Sequence, residues 1–206
     1  MKLNKVNSSN LTDTTNVTKV TTIDQIFINI FYLFAFIALI FEPIYYYGCN
    51  WNYNQCIYYI IIEYEFINIF KYIHNIILDL WYFYNNSYDP LFFNIPTWLQ
   101  VLCSIEVFLF GPCYFITAYY YNIFVKNPKN NKWYLYFILL FFGSLIYSTI
   151  VYFSMEIIEN IPNTNMSMVF VVNLPWTIVP ILCGSRIIYI YNNSDINTNT
   201  NIHKQL

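Results

Sequence analysis

Four long apolar runs, at residues 26–47, 98–121, 133–155 and 168–191, leave this chain few places to fold other than a lipid bilayer. A helix needs about 20 mainly apolar residues to cross a hydrocarbon layer of about 30 Å, and each run is long enough. The chain is 58% hydrophobic and only 10% charged, whereas soluble domains carry about a quarter charged residues. A formal charge of −2, with no basic patch, removes nucleic acid from the partners to expect. Residues 1–24 are polar rather than a cleavable leader, so the first run is expected to stay as a signal anchor.

A fifth stretch, residues 57–84, is apolar in number but not in arrangement. Glu65, Asn68, Lys71, Asn75 and Asp79 recur at steps of three and four and draw a polar stripe along one helical face. That pattern predicts an amphipathic helix lying at the interface rather than a fifth span. Lys126, Lys129 and Lys132 crowd the connection before the third strong run, which the positive-inside rule puts in the cytosol. Four spans then place both termini there too, with Lys2, Lys5, Lys19 and Lys204, and residues 48–97 in the lumen. The expected fold is an all-α membrane protein: one domain, residues 25–191, forming a four-transmembrane-helix bundle with an extra lumenal amphipathic helix. The Asn-, Thr- and Ser-rich tails, 1–24 and 192–206, are expected to be disordered.

Cys49 and Cys56 fall in the lumenal connection, where a disulfide can form. Cys103, Cys113 and Cys183 sit in apolar runs as ordinary small thiols. No Cys/His spacing suits a metal, and no glycine-rich loop suits a phosphate. Neither metal nor cofactor is expected.

Polar residues inside the runs are more informative, because an ionisable group at membrane depth faces a partner or a cavity. Counting ~1.5 Å per residue, Glu42 lies roughly 8 Å inside the lumenal end of the first span and Glu106 about 12 Å below the start of the second. Tyr147 lies roughly 9 Å from the lumenal end of the third, and Asn173 about 8 Å into the fourth. Two carboxyls, a phenol and an amide therefore fall in one layer, contributed by all four spans. Arg186, near the cytosolic end of the fourth, is read as snorkelling. Gly111-Pro112, Pro175 and Pro180 interrupt helical hydrogen bonding, and kinked helices can open a pocket between them.

The run Asp89-Pro90-Leu91, followed by Pro96, Trp98 and Glu106, resembles the start of the second span in the sigma-2 receptor family, an EXPERA group related to the emopamil-binding sterol isomerases. Pro175-Trp176 and Pro180 are similar to that family's paired prolines. Asn173, Trp176 and Pro180 also resemble the Asn-x-x-Trp-x-x-x-Pro of the isomerase branch, as Tyr147, Tyr152, Phe153 and Glu156 resemble its preceding span. The resemblance covers about residues 25–190. It implies an EXPERA-like bundle of the endoplasmic reticulum membrane, endolysosomal and nuclear membranes being further destinations, with a pocket opening sideways to lipid. Its ligand-binding residues would be Glu42, Asp89, Glu106, Tyr147, Asn173 and Trp176, and aromatic walls suit a hydrophobic amine or a sterol hydroxyl.

Two departures separate binder from catalyst. The isomerase branch uses a His one turn before a Glu, yet Ala38 stands four residues before Glu42. His74 precedes Asp79 by five residues and would take that role only in a shifted register and a fifth span, with Glu106, Asn173 and Trp176 completing the catalytic set. The chain also carries an insertion of roughly twenty residues before Asp89 relative to the sigma-2 family. The preferred expectation is a non-enzymatic protein that binds a sterol or another hydrophobic small molecule and regulates sterol transport. The alternatives are a Δ8-Δ7 sterol isomerase and a ligand-free assembly subunit. Membrane lipids, a sterol-transport membrane protein and a second copy of the chain are the remaining partners to consider.

Overall fold

The computed structural model describes residues 20–46 and 68–194, with side chains from Asn75 onward in the second stretch. Cys49, Cys56, Glu65 and the side chains of Lys71 and His74 lie outside the described residues, and with them the disulfide and the His74 pairing. The described chain is helical, with no strand. Among the described residues four helices are long and apolar enough to cross a membrane: α1, Thr22–Tyr46; α3, Thr97–Lys126; α4, Lys132–Glu159; and α5, Met166–Asn193. Between the first two of these runs α2, Asn68–Ser87, followed by a tight turn at Pro90–Phe93.

α1 starts upstream of the apolar run because Thr21 and Asp24 form a capping box. The Thr21 hydroxyl accepts the Asp24 N–H, and the Asp24 carboxylate accepts the Thr21 N–H at 2.8 Å, satisfying two otherwise orphaned donors. Residues 22–24, expected in a tail, are therefore helix.

Two of the spans widen at matching places. Residues Ile37–Phe41 of α1 and Glu106–Phe110 of α3 form wide turns, closed by the Glu42 N–H to Ile37 O and by the Gly111 N–H to Glu106 O. Each lies just ahead of a proline, Pro43 or Pro112. Proline donates no hydrogen bond and its ring pushes on the carbonyl four residues back, so a turn of i→i−5 geometry relieves both. The two wide turns touch one another. A Cβ on Gly111 would come within 2.6 Å of Leu39 Cδ2 and 3.4 Å of Ala38 Cβ, so Gly111 permits this close approach of backbones.

α1 packs mainly against α3, and α4 against α5. Phe31 stacks on Phe142 with ring centroids 5.4 Å apart, and Tyr114 packs on Phe34 and Phe141. A second cluster joins the end of α1 to α2 and the 90–99 segment through Tyr45, Leu78, Phe92 and Leu99. There Tyr45 stacks on Trp81, donates to the Phe92 carbonyl and accepts from Asn85 Nδ2 at 3.0 Å. Large apolar side chains such as Phe108, Leu140 and Ile158 stand exposed on the outside, as a surface solvated by lipid requires.

Arg186 does not snorkel. Its Nε and Nη2 reach Asp24 Oδ1 and Oδ2 at 3.0 and 3.2 Å, and Tyr121 donates to Oδ1 at 3.1 Å. Asp24 is fully buried; a bidentate partner inside the protein outweighs a reach for the interface. This ion pair ties α1 to α5, with α3 joined through Tyr121. Arg186→Ala should lower stability by about 2–3 kcal/mol, because Asp24 is left buried and unpaired, and Arg186→Lys should recover only part of it. Thermal unfolding in detergent measures both; equal melting temperatures for wild type and Arg186→Ala would refute the assignment.

Candidate functional site

The wide turns of α1 and α3 bring Glu42 and Glu106 to one small chamber of about 90 Å³. Tyr46, Cys103, Tyr114, Thr149, Asn173 and Trp176 also line it. Glu42 is buried and its Oε2 has no hydrogen-bond partner. Glu106 is half-buried and its Oε1 accepts from the Tyr114 hydroxyl at 2.7 Å. Asn173 gives its amide N–H to the Val169 carbonyl at 2.9 Å, which leaves its oxygen as an acceptor. The Tyr46 hydroxyl and the Cys103 thiol stand on the same wall.

A larger cavity of about 590 Å³ lies beside this chamber, between α1, α2 and α5. The two share Glu42, Tyr46, Phe92, Asn173 and Trp176 as a common wall. The rest of the larger cavity is mainly apolar, including Phe34, Ile37, Phe41 and Val179, with Trp81 and Tyr84 on the α2 side, and its rim residues Leu33, Leu80 and Val172 are exposed. Trp176 stands at the junction, its ring 3.8 Å edge-on from Phe34 and stacked on Tyr114. Its place follows the break at Leu174, where the regular turns of α5 are interrupted ahead of Pro175. The volume suits a drug-sized ligand, and both the carboxyl-bearing and the amide-bearing side chains on its lining, Glu42 and Asn173, belong to the shared wall.

Of the residues expected from sequence, Glu42, Glu106, Asn173 and Trp176 meet here. Tyr147 does not: it is 70% exposed and lines a groove on the outer face of α3 and α4. Two residues before Thr149, and so on nearly the opposite side of the helix, its side chain points to lipid instead of inward, and depth alone could not tell the two faces apart. Asp79 is exposed on α2. Asp89 is fully buried but lines neither cavity. It caps the 90–93 turn by accepting the Leu91 N–H at 3.2 Å, and it accepts the Tyr152 hydroxyl at 2.6 Å. Burial pushes its carboxyl above the ordinary 3.8, while the hydrogen bonds from Tyr152 and Leu91 pull it back. Tyr152 in turn lines the inner chamber, so Asp89 reaches the site through it.

Sequence reasoning passed over Tyr46 and Thr149 and gave Tyr152 only as part of the resemblance, not as a lining residue; in a chain with 22 tyrosines Tyr46 did not stand out. Pro43 was the missed signal for the wide turn ahead of Glu42. Among the described residues no group of three metal-ligating side chains gathers. Trp176→Ala should merge the two cavities and cost about 2–4 kcal/mol of stability through lost packing; a melting temperature within a degree or so of wild type would show that Trp176 does not divide them.

Residues 76–187, from within α2 to the Arg186 region of α5, match the family model for EXPERA (EXPanded EBP superfamily). That stretch contains Asp89, Glu106, Asn173 and Trp176, while Glu42 lies before it. No curated protein and no solved structure matches the chain.

Proposed function

The chain belongs to the EXPERA (EXPanded EBP superfamily) family, and on that premise we propose that it binds a sterol or another hydrophobic small molecule carrying an amine or hydroxyl. The observation that carries this reading is the pairing of an apolar cavity of about 590 Å³ with a polar chamber holding Glu42 and Glu106. The hydrocarbon body occupies the larger cavity, reached from the bilayer past Leu33, Leu80 and Val172. Its ammonium or hydroxyl turns into the chamber and donates to Glu42 Oε2, the acceptor that no protein donor satisfies. A charge-assisted hydrogen bond in a water-poor chamber is stronger than its counterpart in water. Trp176 and Tyr114 offer aromatic faces to a cation.

The biological role that follows is control of intracellular sterol transport or homeostasis from the endoplasmic reticulum membrane, with both termini cytosolic. A sigma-2-receptor-like identity within the family, a sterol-transport membrane protein as partner and a homodimeric state belong to the same reading.

The two carboxyls on one chamber also favour a second reading, Δ8-Δ7 sterol isomerisation. There one acid gives a proton to the ring alkene and a second group removes a neighbouring proton, with no net change. The position one turn before Glu42 weighs against it: Ala38 is buried against Gly111, where no histidine has room.

A photoreactive sterol should label the wild-type protein in membranes, and a hydrophobic amine should compete. Glu106→Gln and Glu42→Gln should each weaken amine binding by about tenfold or more, the loss of a charged hydrogen bond. Unchanged affinity in both variants would remove the chamber as the site. Conversion of Δ8 to Δ7 sterol after expression in cells lacking that activity would replace binding by isomerisation.

A further inference from the structure

Glu156 has no part in the site described above, yet it is 1% exposed and no donor reaches either of its carboxyl oxygens. It stands one turn beyond Tyr152 on α4, beside the Asp89 carboxyl, itself fully buried. The titratable groups facing the pair are Tyr84 from α2 and Tyr152 and Glu159 from α4. Glu159 is exposed and accepts from Trp98 Nε1 at 3.2 Å. Among the described residues no cationic side chain faces the pair. Lys126 and Lys132 sit at the other ends of α3 and α4, and Arg186 is committed to Asp24.

Two desolvated carboxylates in contact, with no cation between them, repel each other and lose their hydration at once, so one proton stays with the pair. The Leu91 N–H and the Tyr152 hydroxyl both point at Asp89, which makes Asp89 the better carboxylate and leaves the proton on Glu156. We propose that Glu156 is a positioning residue for the chamber, a neutral acid that donates to Asp89 and so holds Asp89 as the acceptor that fixes Tyr152 against the ligand space. What the site needs at position 156 is then a hydrogen-bond donor and not a charge. Gln supplies a donor of nearly the same reach; Leu supplies the volume alone.

The link to ligand rests on the proposed binding function, whereas the placement of the proton does not, and the test separates them. With the full chain in lipid nanodiscs near neutral pH, the infrared carbonyl band of a protonated carboxylic acid should lose intensity on Glu156→Gln. Glu156→Gln should melt close to wild type and Glu156→Leu well below it. Binding of a photoreactive sterol should weaken less than about threefold in Glu156→Gln and about tenfold in Glu156→Leu, the scale of one unsatisfied buried group. An unchanged carbonyl band, or Glu156→Gln melting with Glu156→Leu, would overturn the neutral-donor assignment whether or not any sterol binds. Wild-type affinity in a folded Glu156→Leu protein would overturn the link to the chamber.

Discussion

An ionisable side chain at membrane depth has no water to solvate it, so each must find its partner inside the protein. The bundle meets this demand in three different ways along its length. Asp24 is saturated by Arg186, Tyr121 and Thr21, and the result joins α1, α3 and α5. Asp89 is held by Tyr152 and the Leu91 N–H, with Glu156 beside it and no cation facing it among the described residues. Glu42 and Glu106 face a hole, and one Glu42 oxygen is left with nothing. That last arrangement adjoins the apolar cavity of about 590 Å³.

The backbone has the same division of labour. Regular helix carries the tight aromatic packing of α1 on α3 and the run of α4. The irregular turns gather around the chamber: the wide turn ahead of Glu42, the one that begins at Glu106, and the break beside Asn173 and Trp176. Each follows from a proline, at 43, 112 or 175, whose missing N–H forces the chain to close its hydrogen bonds differently. Gly111 then allows the two wide turns to meet. Irregular backbone at membrane depth is tolerated where protein covers it or a cavity abuts it, and here a cavity abuts it.

Hydrophobic run length and charge spacing made the four spans legible, because the length of a helix and the thickness of hydrocarbon fix one another. Depth counting placed Glu42, Glu106 and Asn173 in one layer, and they do share a chamber. It failed for Tyr147, since depth says nothing about which face of a helix a residue occupies. Arg186 was misread because its partner is 162 residues away in sequence and sits in a segment assigned to a tail. Asp89 and Glu156 are 67 residues apart and meet only through packing, so no local pattern could announce their shared proton.

The claim on which the rest turns is that the ligand enters between α1 and α5 and sets its polar end against Glu42 and Glu106. Mass-spectrometric mapping of a photoreactive sterol on the intact protein tests it most directly. Adducts on Phe34, Ile37, Trp176 or Val179, lost on competition with a hydrophobic amine, are the predicted result; adducts confined to the α3–α4 groove around Leu140, Gly143 and Tyr147 would contradict it.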